Sequence, residues 1–116
     1  MKGDILYLGH MIDMARLAQS FVRGRVYDEL KGDKAFERAL VHALQIIWAA
    51  ARRVSDEFRQ QHSYIPWRQI VAFRHRVVHD YLNVEHQIVW DIANKELQPL
   101  VDALAAILPA QPEEED

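Results

Sequence analysis

Apolar positions recur every three to four residues through most of the chain, the spacing that gives an α-helix one apolar face. In the first stretch Ile5, Leu8, Ile12, Ala15 and Leu17/Ala18 keep this period. They predict a helix from about Asp4, an acceptable N-cap, to Arg23, with Gly24 either stopping or loosening it. Residues 24–32 read as a connection closed by Gly32-Asp33, where Asp33 can cap the next helix. The clearest periodicity runs through Phe36, Leu40, Ala43, Ile47, Ala50/Ala51, Val54 and Phe58. No Gly or Pro interrupts it, so it predicts one second helix from Lys34 to about Gln61. Ser63-Tyr64-Ile65-Pro66 is a stop and restart, with Pro66 suited to the first turn of a third helix reaching about His79 or Asp80. A fourth is expected from Asn83, with Glu85 in its first turn, through Val84, Ile88, Val89 and Ile92 to about Asn94. Pro99 allows a last helix from about Gln98 through Leu100, Val101, Leu104 and Ile107. Five helices with short connections predict an all-α fold, an up-and-down antiparallel bundle.

The 116 residues suit one domain, expected over residues 1–108. Residues 109–116 form an acidic tail, Glu113 to Asp116 after Pro109 and Pro112, expected to be disordered. The tail changes how the charge is read. The chain carries 14 Lys and Arg against 17 Asp and Glu, a net −3. Four of the acids sit in the tail, which leaves the body at 14 against 13. Between Arg52 and His79, six arginines (52, 53, 59, 68, 74, 76) face only Asp56 and Glu57. That density is either a footprint for a polyanion or a solvated helix face. The absence of cysteine excludes disulfide scaffolds, thiolate zinc sites and cysteine nucleophiles. No apolar run approaches the roughly 18–20 residues of a spanning helix, and Lys2-Gly3-Asp4 opens no signal peptide, so a cytoplasmic, membrane-free protein is expected.

The third helix holds the informative residue. Trp67, Ile70, Val71, Val77, Val78 and Tyr81 fall on one stripe, and Arg74 falls in its middle. A guanidinium there must pair with an acid from a neighbouring helix or sit at a cleft. His75 and His79 lie on an adjoining stripe with Arg68, at a spacing metal ligands also use. However, His75-Arg-Val-Val-His79 lacks the glutamate of H-E-x-x-H, and no Glu-x-x-His occurs in the chain. His10, His42, His62 and His86 read as surface or bundle-edge residues without a role. On an ideal helix Arg74 and His79 stand about 140° apart. To act at one point they need the helix to unwind near His79, or a site shared by two chains.

Arg74-His75-Arg76-Val77-Val78-His79-Asp80-Tyr81 resembles the R-x4-H-x-Y motif of the HEPN superfamily, and most closely the HepT-like toxins of HepT/MntA toxin–antitoxin systems. The similarity extends to Ala50–Phe58, Ile65–Ile70, Ile88–Ile92 and Leu97–Leu100, and so spans residues 4–108. It implies a helical bundle that acts, as a homodimer, as a metal-independent endoribonuclease, with RNA as substrate and no cofactor. It maps the family's arginine to Arg74, its neighbouring polar residue to His75, its histidine to His79 and its tyrosine to Tyr81. One departure lies in the second helix, where Ala43, Trp48 and Ala49 replace polar or small residues common in relatives.

Residue chemistry is compatible with that implication. RNA carries its own nucleophile, the 2′-hydroxyl. His79, with an unperturbed pKa of about 6.5, exchanges a proton near neutral pH. Arg74 holds the scissile phosphate. His75, Arg68 and Arg76 are expected to position RNA, and the products to be a 2′,3′-cyclic phosphate and a 5′-hydroxyl. The resemblance also implies a cognate MntA-like nucleotidyltransferase antitoxin that transfers AMP to Tyr81. On a continuous helix Tyr81 would be about 20° from Arg74, placing the added phosphodiester beside the arginine. In the dimer the third helix and Trp67 or Trp90 are expected near the interface. The competing readings are a non-catalytic module that docks a nucleotidyltransferase, and a structural bundle with Arg74 paired internally.

Overall fold

The apolar stripes read from the sequence meet in a single helical core. A computed structural model describes residues 2–80 and 83–108; for Lys2, His79 and Asp80 it describes the backbone alone. The elements are α1 (Lys2–Val22), α2 (Tyr27–Gly32), α3 (Lys34–Arg53), α4 (Asp56–Gln61), α5 (Trp67–Val77), β1 (Val78–Asp80), β2 (Asn83–Val84), α6 (His86–Asp91), a π-helical turn (Ile92–Glu96) and α7 (Leu97–Ile107). Leu8, Met11 and Ala15 of α1 pack with Leu40, Leu44, Ile47 and Ala51 of α3, joined by Ile70, Val89, Val101 and Leu104. α1 lies mainly against α3 and α7, and α5 against α3. The start of α1 meets the end of α3, and Gln19 near the end of α1 bonds Gln98 at the start of α7, so α1 runs antiparallel to both. The all-α bundle is as expected.

Several boundaries differ, each for a physical reason. Asp4 is not the first helix's N-cap but a buried acceptor, 4% exposed, inside α1. Its carboxylate takes the Ser55 N–H at 2.7 Å and the Ser55 hydroxyl at 2.8 Å. That contact divides the expected second helix. Val54 turns extended, and Ser55 caps a separate α4 by accepting the Phe58 N–H at 3.2 Å. Asp33 does cap α3, accepting the Phe36 N–H at 3.1 Å. The expected connection 24–32 contains α2, which Gly24 permits by taking a φ of 76°. Glu29 accepts the Val26 N–H at 2.8 Å at the head of α2, and this bond, with Arg25 beside it, holds its carboxyl below the usual range.

The last two expected helices form one rod from His86 to Ile107. Its π turn, in which Leu97 donates to the Ile92 carbonyl, shifts the hydrogen-bond register just ahead of Pro99, which has no N–H to donate. The rod begins at His86 and not Asn83, because Asn83–Val84 pairs antiparallel with Val78–Asp80. Trp67 belongs to the chain's own core, donating its indole N–H to the His62 carbonyl at 3.1 Å. Trp90 is half-buried against Tyr27. The acidic tail lies outside the described residues. Among those described, no helix is long and apolar enough to cross a membrane.

Candidate active site

Arg74 and His75 occupy the last turn of α5, which stops at Val77 although the sequence offers no Gly or Pro there. Val78 is extended and donates its N–H to the Arg74 carbonyl; the β-branched pair Val77-Val78 then leads into the short ladder, Val78 opposite Val84. Glu85 adds a backbone bond to the Val77 carbonyl at 2.8 Å. His79 therefore lies on a strand, not a helix, and the expected third helix ends two residues before it. Of the two remedies for the 140° separation, the chain adopts the first: it unwinds before His79. The same break removes the helical register between Arg74 and Tyr81, and the helix-based placement of Tyr81 does not hold. Tyr81 and the His79 side chain lie outside the described residues.

Arg74 is exposed, and among the described residues no acid pairs with it. It stands at a cleft between α3 and α5, lined by Gln45, Trp48, Ala49 and Arg52 of α3 and by Val71, Arg74 and His75 of α5. Arg52 and His75 also line a wider groove that continues past Arg68, Arg59 and Gln60. Among the described residues, no carboxylate lines either part. Four arginines and a histidine thus share one surface that the described acids leave uncompensated, and the local field favours an anion.

The six clustered arginines divide by environment. Arg52, Arg68 and Arg74 are exposed along the groove. Arg59 lines it too, but its guanidinium is spent on the end of α3, donating to the carbonyls of Val54 (3.1 Å), Ala51 (3.0 Å) and Arg52 (2.9 Å). Arg53 turns to Tyr7, 3.3 Å from its hydroxyl. Arg76 stacks over Phe73, 5.1 Å from the ring centroid, and lines neither part of the groove. The structure brings together Arg74, His75 and Arg68 of the anticipated set, and does not bring Arg76 to them.

Sequence reasoning missed the α3 wall. Gln45, Trp48, Ala49 and Arg52 recur at helical spacing, and that periodicity is the signal that could have found it. Trp48 is 3% exposed and adds to the internal packing surface; it lines both the basic cleft and an apolar cavity of about 240 Å³ beneath α5. Among the described residues no three His, Asp or Glu side chains converge as metal ligands would. With α5 ending at Val77, His75 and His79 no longer share a helix at ligand spacing.

Comparison with known proteins identifies the family of the chain. The family described as "Ribonuclease HepT-like" matches residues 11–107. The chain is 32% identical over 108 residues to "Putative RNase TTE0752" of Caldanaerobacter subterraneus subsp. tengcongensis, covering 93% of this chain and 96% of that one. It is 27% identical to "Probable ribonuclease HepT" of Thermococcus cleftensis, over 81% of this chain and 86% of the relative. A "Gamma-glutamylcyclotransferase and putative RNase MJ0434" of Methanocaldococcus jannaschii is 23% identical over 93% of this chain and 49% of its own length. No solved structure gives a match. With the family's sequence profile covering most of the bundle, the chain belongs to the HepT-like ribonucleases of the HEPN superfamily.

Proposed function

We propose that the protein is a metal-independent endoribonuclease toxin whose catalytic pair is Arg74 and His79. The observation that carries this is an exposed Arg74, with no described acid beside it, in a basic groove one turn from the strand that holds His79. The groove takes the RNA backbone, with Arg68 and His75 along the strand's path. Arg74 binds the scissile phosphate and offsets the charge that builds on its oxygens. The RNA 2′-hydroxyl attacks phosphorus as its proton leaves, the bond to the 5′-oxygen breaks, and His79 exchanges a proton in the reaction. The products are a 2′,3′-cyclic phosphate and a 5′-hydroxyl.

The test is cleavage of a defined RNA in excess chelator. Wild type should cut, while Arg74→Ala and His79→Ala should not, with helicity nearly unchanged. Activity in either variant, or its loss with chelator, would falsify the assignment. A chain that binds a nucleotidyltransferase but never cuts RNA would instead be a docking module.

The toxin reading extends to a homodimer and to control by a MntA-like nucleotidyltransferase, both resting on the family resemblance. The two grooves of the dimer would face each other, and light scattering at micromolar concentration should give twice the chain mass. The nucleotidyltransferase would transfer AMP from ATP to the Tyr81 hydroxyl, releasing pyrophosphate and leaving a phosphodiester anion near the motif. With partner, ATP and magnesium, AMP mass should appear at Tyr81 as cleavage stops. Tyr81→Phe should stay unmodified and escape silencing.

A further inference from the structure

Glu37 is a buried carboxylate that the proposed reaction does not use. It sits in the first turn of α3, 6% exposed, in a region where burying a charge without partners is costly. Its Oε1 lies 3.1 Å from the His86 Nε2, and the exposed Lys34 ammonium reaches the same oxygen at 3.4 Å. His86, expected at the surface without a role, opens α6 and comes two residues after Val84, the residue that pairs with Val78 in the hairpin. Val78 and Val84 share a cavity with Glu37, Arg38, Val41 and His42, so the hairpin overlies the same part of α3 that carries the glutamate.

The linkage from Glu37 to the motif is short. Glu37 fixes His86; His86 fixes the exit of β2; β2 is laddered to Val78, and Val78 precedes His79. On the motif's other side, α5 is fixed by packing against α3. Arg74 and His79 are thus referred to one helix by two attachments, the α3–α5 packing for the arginine and the Glu37–His86 bond for the hairpin. We infer that Glu37 and His86 are positioning residues, a clamp that sets the distance between the hairpin carrying His79 and the groove carrying Arg74. The clamp's catalytic consequence rests on the ribonuclease reading; its mechanical part does not.

The test pairs kinetics with a measurement of the hairpin itself. His86→Ala and Glu37→Ala should lower kcat for RNA cleavage about ten- to a hundredfold, the scale of a misplaced catalytic group, with KM within about twofold because the groove arginines are untouched. The double variant should be no slower than the worse single one. His86→Gln, whose amide N–H can donate to the carboxylate, should restore most of the rate. Independently, the Glu85 amide, bonded to the Val77 carbonyl, should exchange faster in His86→Ala than in wild type and return towards wild type in His86→Gln. If the wild type cuts no RNA but the exchange follows this order, the ribonuclease reading fails and the clamp stands. An unchanged kcat, a loss confined to KM, or unchanged exchange at Glu85 overturns the clamp. Should either alanine variant unfold, His86→Phe, which cannot bond the carboxylate, takes its place: faster exchange at Glu85 that His86→Gln reverses supports the clamp, and exchange in His86→Phe no faster than in wild type overturns it.

Discussion

Arg59 and Arg74 line one groove, yet their guanidinium groups do opposite things. Arg59 satisfies carbonyls that the end of α3 leaves open, a cation at the negative end of a helix. Arg74 donates to no described residue. Arg59→Ala should therefore lower unfolding free energy by about 1–2 kcal/mol, whereas Arg74→Ala should stay within about 0.5 kcal/mol. Urea denaturation followed by circular dichroism reads both, and the reverse order would refute the division between structural and ligand-facing arginine. Helical periodicity is a local property, so the sequence alone showed that Arg74 was out of place on an apolar stripe. It could not show which arginine would be consumed by packing. That depends on where α3 ends, and the bond between Asp4 and Ser55, 51 positions apart, decides it.

At the scale of elements, the long rods were legible and the breaks between them were not. The apolar period continues through Val54 and Phe58 because both are buried, although the backbone between them leaves the helix. The cause is the Asp4–Ser55 contact, invisible to any window of neighbouring residues. Asp4→Ala leaves the Ser55 N–H without its acceptor in a part-buried site and should cost about 1–3 kcal/mol; a midpoint unchanged in thermal and urea unfolding would show the break is set elsewhere. The end of α5 was hidden for a similar reason, since Val77-Val78 suits a helix face as well as a strand, and only pairing with Asn83–Val84 decides. Gly24 is the opposite case, a turn signal read correctly. A Cβ there would touch nothing within 4 Å, so Gly24→Ala isolates the cost of a φ of 76°. About 1 kcal/mol of destabilisation is expected in urea, and more than about twice that would mean the connection also repacks.

Across the whole molecule, net charge and binding surface point in different directions. A chain of −3 is a poor partner for RNA on average, but the groove concentrates arginines while no described acid lines it. If affinity followed overall charge, removing any one arginine would weaken RNA binding alike. If it follows the groove, position decides. Arg68 lies exposed on the groove wall, whereas Arg76 is folded over Phe73 outside it, a distinction that their shared helix and charge do not reveal. The measurement uses His79→Ala as an uncutting background and a short single-stranded RNA, with Kd determined across a range of salt concentrations. For every phosphate no longer neutralised, the slope of log K against log salt should become shallower by about 0.7. Arg68→Ala should show that change and bind more weakly at every salt concentration, and Arg76→Ala should match its parent in both. Equal losses from the two substitutions would mean that the RNA does not follow the α3–α5 groove, and the path proposed for the strand past Arg74 would have to be redrawn.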